Sequence, residues 1–500
     1  MQPEPELLLP DPALALAASE EALDDEPRRG RGDAWRVLLG SWSGRAGVAM
    51  FAGLLAISLW VLLTYPPAFG ATRWSNPAYW ADNPRNAPPT WTARFGGGLA
   101  HTVETLDAPT ETTEIAAGRV LTFAFPLAYP GGDVPASLSL TLTGVTFHAR
   151  PPSVLATMHR PDGGELRLAA IPVTGPRPGE DAPYRRFYDS PERVQLAEQP
   201  TAAQSVARYW AESFPAAPLP PSGETLASLF GRPGPDGAGI EPLPGEYTVE
   251  VQVVMANPRD AVAPIRVTLG GTVFGVMGTD GLGRDLWQGL LYGFPVALAI
   301  AALTSLASTA IGATLGIVSG YRGGWVDAAI QRAADIVSNV PTLPLLIFLV
   351  SVLGRHLWLI MLVLVAFSWP GLTILIRSMV LQIRSGQLVE AARALGASRR
   401  RIMARHVFPQ VAPFVVAQMI FFAPGAILAE AALSFLGLGD PSIPTWGQML
   451  EAGFRTGALY VGYWWWVLPP GILIVVTAVA FMLIALAAEP VVDPRLRRRT

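Results

Sequence analysis

The chain has no cysteine and no lysine. The lack of cysteine removes disulfides, thiolate catalysis and cysteine-based metal sites together, so any domain outside the cytoplasm must be stable through its core alone. Without lysine, all 36 residues of the Lys+Arg class are arginine, a usage that reads as base composition rather than chemistry. It also excludes a nucleotide-binding Gly-x-x-x-x-Gly-Lys-Ser/Thr loop, whose lysine meets the phosphates. His101, His148 and His159 are scattered without paired metal-site spacing, and no Gly-x-Ser-x-Gly turn exposes a nucleophilic serine. Charge is sparse: 15% of the 500 residues are charged against 51% hydrophobic, with a mean hydropathy of +0.35. That balance describes a membrane protein with a sizeable soluble part, and the net charge of −3 points to no particular partner.

Long apolar runs are what the chain does have. Gly47 to Tyr65 is about 19 residues, enough to cross a bilayer of roughly 30 Å. Arg28, Arg29, Arg31, Arg36 and Arg45 precede it, which places the N-terminus in the cytoplasm. A cleaved signal peptide, with Ala68 and Ala71 following, is the competing reading; the length of the run favours a retained anchor. Further runs lie near Leu290 to Ser319, Ile336 to Leu353, Leu357 to Ile376, Val411 to Ala432 and Val467 to Ala488, which makes six spans. This topology puts Arg322, Arg332 and the tail Arg495, Arg497, Arg498 and Arg499 on the cytoplasmic side, and only Arg355 and Arg455 break the pattern among the shorter outer loops. Both ends are then inside. The acidic, Ala/Pro-rich tail up to Asp33 has no sustained apolar face and reads as disordered. Trp464, Trp465 and Trp466 read as an interfacial belt rather than a ligand cage.

Residues from Pro66 to Phe274 form a large insert between spans one and two. Leu121, Phe123 and Phe125 alternate with small polar positions, as do Leu138, Leu140 and Leu142, then Tyr247, Val249, Val251 and Val253, then Ile265, Val267 and Leu269. Period-two patterns separated by Pro/Gly clusters predict an antiparallel β-sandwich or similar β-rich domain, with a helix near Gln204 to Phe214. Binding or scaffolding suits it better than catalysis.

The polar insert Glu390 to Pro409 carries the most information. Leu388, Ala391, Ala392 and Leu395 fall at helical spacing and form a weakly apolar face. Gly396 stands where a left-handed helix stop is wanted, Ser398 is placed to cap a second helix from Arg399, and Pro409 is expected to end it. Two short helices joined by a glycine turn are suited to the groove of a soluble partner. An ordinary amphipathic loop held inside by its arginines is the plainer reading. Further upstream, Asp280, Arg284 and Asp285 can pair with one another at a membrane edge, while Gly278 and Gly283 permit tight turns. Glu430, near the end of span five, is a pathway candidate because carboxylates are costly in a bilayer; a structural role is favoured, as no further acid or histidine forms a relay with it.

The spacing of Glu390, Ala391, Ala392, Gly396, Ile402 and Pro409 resembles the EAA loop of bacterial ABC importer permeases. Gly278, Thr279, Asp280, Gly283, Arg284 and Asp285 resemble the GTDxxGRD signature of C-type permeases of oligopeptide and dipeptide transporters, on the outer face before the second span. Three more stretches are similar to that family: Gly320 to Asp327 with Arg332, Asp335 and Pro341; Glu430 to Gly439 with Pro444 to Gly447; and Asp493 to Leu496. The resemblance covers roughly Phe274 to Arg497 plus the first span. Val276-Met277 replaces the His-Pro that often precedes the GTD string, and the large insert is foreign to the usual member. These departures put the substrate in question rather than the transport class.

The expected fold is therefore an α-helical polytopic membrane protein with six transmembrane helices, similar to a type I ABC importer permease, carrying an inserted extracytoplasmic β-rich, sandwich-like domain. The expected division is a cytoplasmic tail over 1–46, a first span over 47–65, the β-rich domain over 66–274, the permease core over 275–490 and a basic cytoplasmic tail over 491–500. The resemblance implies a non-enzymatic, multi-pass subunit of the bacterial inner membrane that imports peptides or a related small solute. In it the EAA loop couples to two ATPase subunits or domains, which use ATP and Mg. Its other implied partners are a second, B-type permease, a solute-binding protein and the bilayer, with no nucleic acid, metal or cofactor on this chain. Two alternatives stand beside it. One is a membrane-anchored receptor or assembly factor with a ligand-binding β-domain; the other is an export-type or mechanotransmitting ABC membrane protein.

Overall fold

The structure, a computed structural model, describes residues 39–116, 118–221, 223–235 and 239–492. The acidic tail, the arginines before Leu39, the closing Asp493-Pro494-Arg495-Leu496 and the arginines after it lie outside the described residues.

Helix α1 (Trp42–Thr64) starts where the Ser41 hydroxyl accepts the Gly44 N–H and stops at Tyr65, which is extended ahead of Pro66. The β-rich domain follows. The strands of its two larger sheets are β1 (Thr102–Leu106), β2 (Glu111–Ile115), β3 (Gly118–Tyr129), β4 (Ser137–Leu142), β5 (Ser153–His159), β6 (Glu165–Pro172), β7 (Glu192–Gln195), β8 (Gly245–Met255) and β9 (Ile265–Gly270). They form a four-stranded sheet in the order β1-β9-β4-β7 and a five-stranded sheet in the order β2-β3-β8-β5-β6, with antiparallel neighbours throughout. Phe123, Phe125 and Leu127 of β3 share one buried core with Leu138, Leu140 and Leu142 of β4 and Val249 and Val251 of β8, as the alternation predicts for two facing sheets. Helix α2 (Pro200–Ser213) closes this core with Ala202, Val206 and Trp210.

The insert does not begin as a β-domain at Pro66. Residues 66–99 make short helical turns that pack on the membrane helices: Phe69, Trp74 and Trp80 are buried with Leu286, Leu290 and Trp446. This Trp/Pro-rich stretch has no period-two pattern, so it forms a strap between the two regions rather than a strand.

The remaining helices are α3 (Leu286–Arg322), α4 (Gly324–Asn339), α5 (Thr342–Leu353), α6 (Leu357–Ile383), α7 (Gln387–Ala394), α8 (Arg399–Ile402), α9 (Phe408–Leu433), α10 (Trp446–Arg455) and α11 (Trp464–Val492). Gly312, Gly316 and Gly320 of α3 form a row facing Leu372, Ile376 and Val380 of α6, and a Cβ at Gly316 would stand 2.7 Å from that of Ile376. Such small-residue rows let helix backbones approach where lipid supplies no hydrophobic drive.

The expected continuous span Ile336 to Leu353 is instead broken: α4 and α5 meet at a 77° bend. Pro341 lacks an N–H and biases Val340 to the extended conformation it adopts, so the helix stops there. Among the described residues five helices are long and apolar enough to cross a membrane, or six if the bent pair is one span. Pro409 also departs from expectation. The helix from Arg399 runs on through a π-turn, Met403–Val407, into α9, and the Phe408 N–H bonds to the Met403 carbonyl five residues back. The wider turn makes room for the proline ring, which would otherwise meet the carbonyl four residues earlier.

Candidate functional site

Between α6 and α9 the polar insert folds as a helix, a tight turn and a second helix. Gly396 adopts φ +77°, and the Ser398 hydroxyl accepts the Arg401 N–H to open α8. Gly396 and Ser398 thus stand where the spacing placed them. The weakly apolar face of α7 is divided: Ala392 points inward, joined by Val389, with Ile402 and Val407, while Leu388, Ala391 and Leu395 face out, Leu395 being 88% exposed. Glu390 is exposed beside them. The result is an outer surface of apolar side chains and Glu390, flanked by exposed Arg393, Arg399, Arg400 and Arg401 and held on a core shared with α3 and α6.

The string Gly278 to Asp285 forms a closed turn at the head of α3. Gly278 and Gly283 take φ +72° and +78°. Buried Asp280 receives the Leu282 and Arg284 N–H groups at 2.9 Å each and pairs with the Arg284 guanidinium, which also lies 4.2 Å over the Trp74 ring. Asp285 does not join that pair. Its carboxylate caps α3 by accepting the Trp287 N–H, because the first amides of a helix have no internal partner. Thr279 is buried and bridges to the strap: its hydroxyl donates to the Pro84 carbonyl and accepts the Ala87 N–H. Asn83 adds a bond from its side-chain amide to the Gly283 carbonyl. Trp465 and Trp466 are buried against this turn, with the Trp465 ring N–H 3.3 Å from the Thr279 carbonyl, so only Trp464 is placed as a belt residue would be.

Glu430 is 4% exposed and accepts a 2.6 Å hydrogen bond from Ser434, at the π-turn Ser434–Leu438 that ends α9. Among the described residues no group of three or more His, Cys, Asp or Glu side chains could hold a metal ion.

Residues 312–498 match the model of the family described as binding-protein-dependent transport system inner membrane component. A putative peptide permease protein of Brucella suis biovar 1 (strain 1330) is 36% identical over 219 residues, 44% of this chain and 72% of that protein. The dipeptide transport system permease protein DppC of Bacillus subtilis (strain 168) is 34% identical over 222 residues, 44% of this chain and 69% of its own length. The chain belongs to this family of ABC transporter permeases. Among solved structures, the inward-facing MetNI methionine ABC transporter covers 42% of the permease and 95% of its own chain, at a TM-score of 0.33 and 22% identity, a likeness too slight to argue from.

Two features of the permease escaped the sequence reading. Asp327 of α4 and Arg377 of α6 make a two-pronged ion pair at 2.6 Å on both arms, and Ser319 donates to the same carboxylate. A lone arginine within an otherwise apolar helix was the available signal, since such a charge needs a partner. The second is a cavity of about 180 Å³ between α3, α6 and α9, lined by Thr304, Ser308, Ser368 and Phe422 among others. The Thr304 and Ser308 hydroxyls are buried and have no hydrogen-bond partner among the described residues.

Proposed function

We propose that this permease is one half of the membrane pathway of an ATP-driven importer of peptides or related small solutes. The observation that carries the reading is the α7–Gly396–α8 element, whose outward face of Leu388, Ala391, Leu395 and Glu390 is covered by nothing among the described residues. Short helices with an apolar, charged outer face suit a groove on a soluble partner, and the turn at Gly396 sets the angle between them. ATP and Mg would be used on two such partner subunits, as the chain has no lysine for a phosphate-binding loop. The peptide class is supported by the names of the relatives, and a pathway between α3, α6 and α9 by the cavity there, beside which the Thr304 and Ser308 hydroxyls have no partner among the described residues.

In this reading α1, α3, the bent pair α4–α5, α6, α9 and α11 are six spans of a type I arrangement, both termini are cytoplasmic and the β-rich domain is outside. A B-type permease completes the pathway, and a solute-binding protein delivers the solute. Glu390, Ala391, Ala392, Gly396, Ile402 and Pro409 serve coupling. Gly278 to Asp285 and Glu430 serve structure, at the mouth of the pathway.

The test is reconstitution of the permease with its partners in liposomes, following uptake of labelled peptide and ATP hydrolysis together. Gly396→Val forces a β-branched residue into the left-handed region at a cost of about 1–2 kcal/mol, and is expected to abolish uptake while ATP hydrolysis persists or falls. Wild-type uptake in this variant would overturn the coupling assignment.

A further inference from the structure

A large cavity lies away from the membrane helices, at the seam where the strap meets the four-stranded sheet. It has a volume of about 830 Å³, room for a short peptide, and is lined by the strap at Ala81, Asn83, Pro84 and Arg85, by β4 and β7, and by the start of α2. Its charged side chains are Arg85, Arg193 and Glu198, and Ser137, Gln195 and Gln199 add uncharged donors and acceptors. The first residue of α2, Pro200, faces the same space, so the positive end of a 14-residue helix contributes its field.

The two arginines are the informative pair. No carboxylate lies within ion-pair distance of Arg85 among the described residues. Arg193 has one, Asp82, with Nε 2.9 Å from Oδ1, but the angle is too poor for a hydrogen bond and both atoms are left without a hydrogen-bond partner. Asp82 is shared besides, since Arg266 also reaches it at 3.1 Å. Burial holds the Arg193 guanidinium below its ordinary range, Asp82 opposes that, and the like charge of Arg85 reinforces it. Asp82 is thus divided between Arg193 and Arg266 and Arg85 has no carboxylate of its own, so the Arg85 and Arg193 side of the cavity carries a surplus of positive charge that favours an anion.

We propose that this seam cavity is a solute site on the permease itself, taking the C-terminal carboxylate of a short peptide between Arg85 and Arg193. Gln195, Gln199 and Ser137 are positioned to meet peptide amides. Glu198, the acid in the lining, matches the free ammonium at the other end of a zwitterionic peptide. This rests on the peptide reading above, but its readout is binding to the permease alone, without ATPases or binding protein, so its failure leaves the uptake test of that reading untouched.

The full chain in nanodiscs of neutral lipid would be titrated calorimetrically with trialanine, with its C-terminal amide and with inorganic phosphate. Trialanine is expected to bind and the amide to bind about tenfold or more weakly, the loss that follows from removing a charge-assisted hydrogen bond. Arg85→Gln, at an exposed position, should weaken trialanine to the same degree and leave binding of the amide unchanged. Equal binding of acid and amide, absence of trialanine binding to the wild type, or displacement of trialanine by phosphate at equal concentration would each overturn the proposal. The comparison of acid with amide needs no variant, so a folding defect cannot decide it.

Discussion

The β-rich domain and the helical bundle spend the same apolar side chains in opposite ways. In the domain, Phe123, Phe125, Leu138 and Leu140 are all withdrawn from solvent into one core. In the bundle, only 22% of the most apolar stretch of α1 is buried and 50% of that of α3, and Leu63 is 78% exposed. In water such helices would aggregate; in lipid their outer faces are already solvated. The domain is therefore held mainly by the apolar area it removes from water, and the bundle by close backbone approach and a few polar ties. Gly312, Gly316 and Gly320 against α6, and Asp327 with Arg377, are those devices.

Five changes would break or sharpen that contrast. The largest effect is expected from Phe125→Ala, which empties part of the domain core at a cost of about 3–5 kcal/mol. Leu63→Ala, facing lipid, should cost under about 1 kcal/mol. Protease resistance of the domain and thermal unfolding in nanodiscs measure both, and equal losses would erase the distinction. Next is Gly316→Leu, which drives a side chain against Ile376 and the Thr373 carbonyl, at a cost of about 1–3 kcal/mol. It should lower the yield of folded permease in detergent while the domain keeps its protease resistance; loss of both together would mean that the two regions unfold as one.

A smaller effect is expected of Asp82→Asn, which releases Arg193 and Arg266 from the strap. These groups are partly exposed, so the cost should stay within about 1 kcal/mol. Faster hydrogen exchange over residues 76–90, with the sandwich core unchanged, is the expected signature. The smallest concerns pH. Arg186 clasps Glu180 with two bonds, at 2.6 and 2.7 Å, and these bonds hold the Glu180 carboxyl at about 2 against an ordinary 4.5. The contribution of the clasp is whole above about 4.5 and is lost as pH falls through about 2, because the unfolded chain takes up the proton first. Hydrogen exchange over residues 174–186, corrected for its intrinsic pH dependence, should rise in that window and not in Glu180→Gln.

Much of the candidate site was legible because it depends on local rules. Gly396, Ser398, Gly278 and Gly283 adopt the turns and caps that their residue types favour wherever they occur. What was misread depends on partners distant in the chain. The expected apolar face of α7 was divided by contact with Ile402 and Val407, which drew Ala392 inward with Val389 and left Leu388, Ala391 and Leu395 outside. Asp285 had both Arg284 and the amides of α3 within reach, and Asp280 had already taken the arginine. Trp465 and Trp466 have the composition of a belt but are drawn inward by the Thr279 turn.

Period and length are properties of a stretch of chain, so the sandwich strands β3, β4, β8 and β9, a helix near Gln204 to Phe214 (α2) and the apolar runs of the bundle were determined by the sequence itself. The 77° break at Pro341 was half determined: the proline forbids a straight helix, but the angle at which α5 turns away is not written in it. Only the tertiary structure decided that the stretch from Phe69 to Asn86 would strap the sandwich to the head of α3. It also decided that Asp327 would find Arg377, and that Arg85 and Arg193 would face one cavity. Each of these joins residues at least 50 positions apart, where no local preference acts and only the packed chain brings the partners within reach.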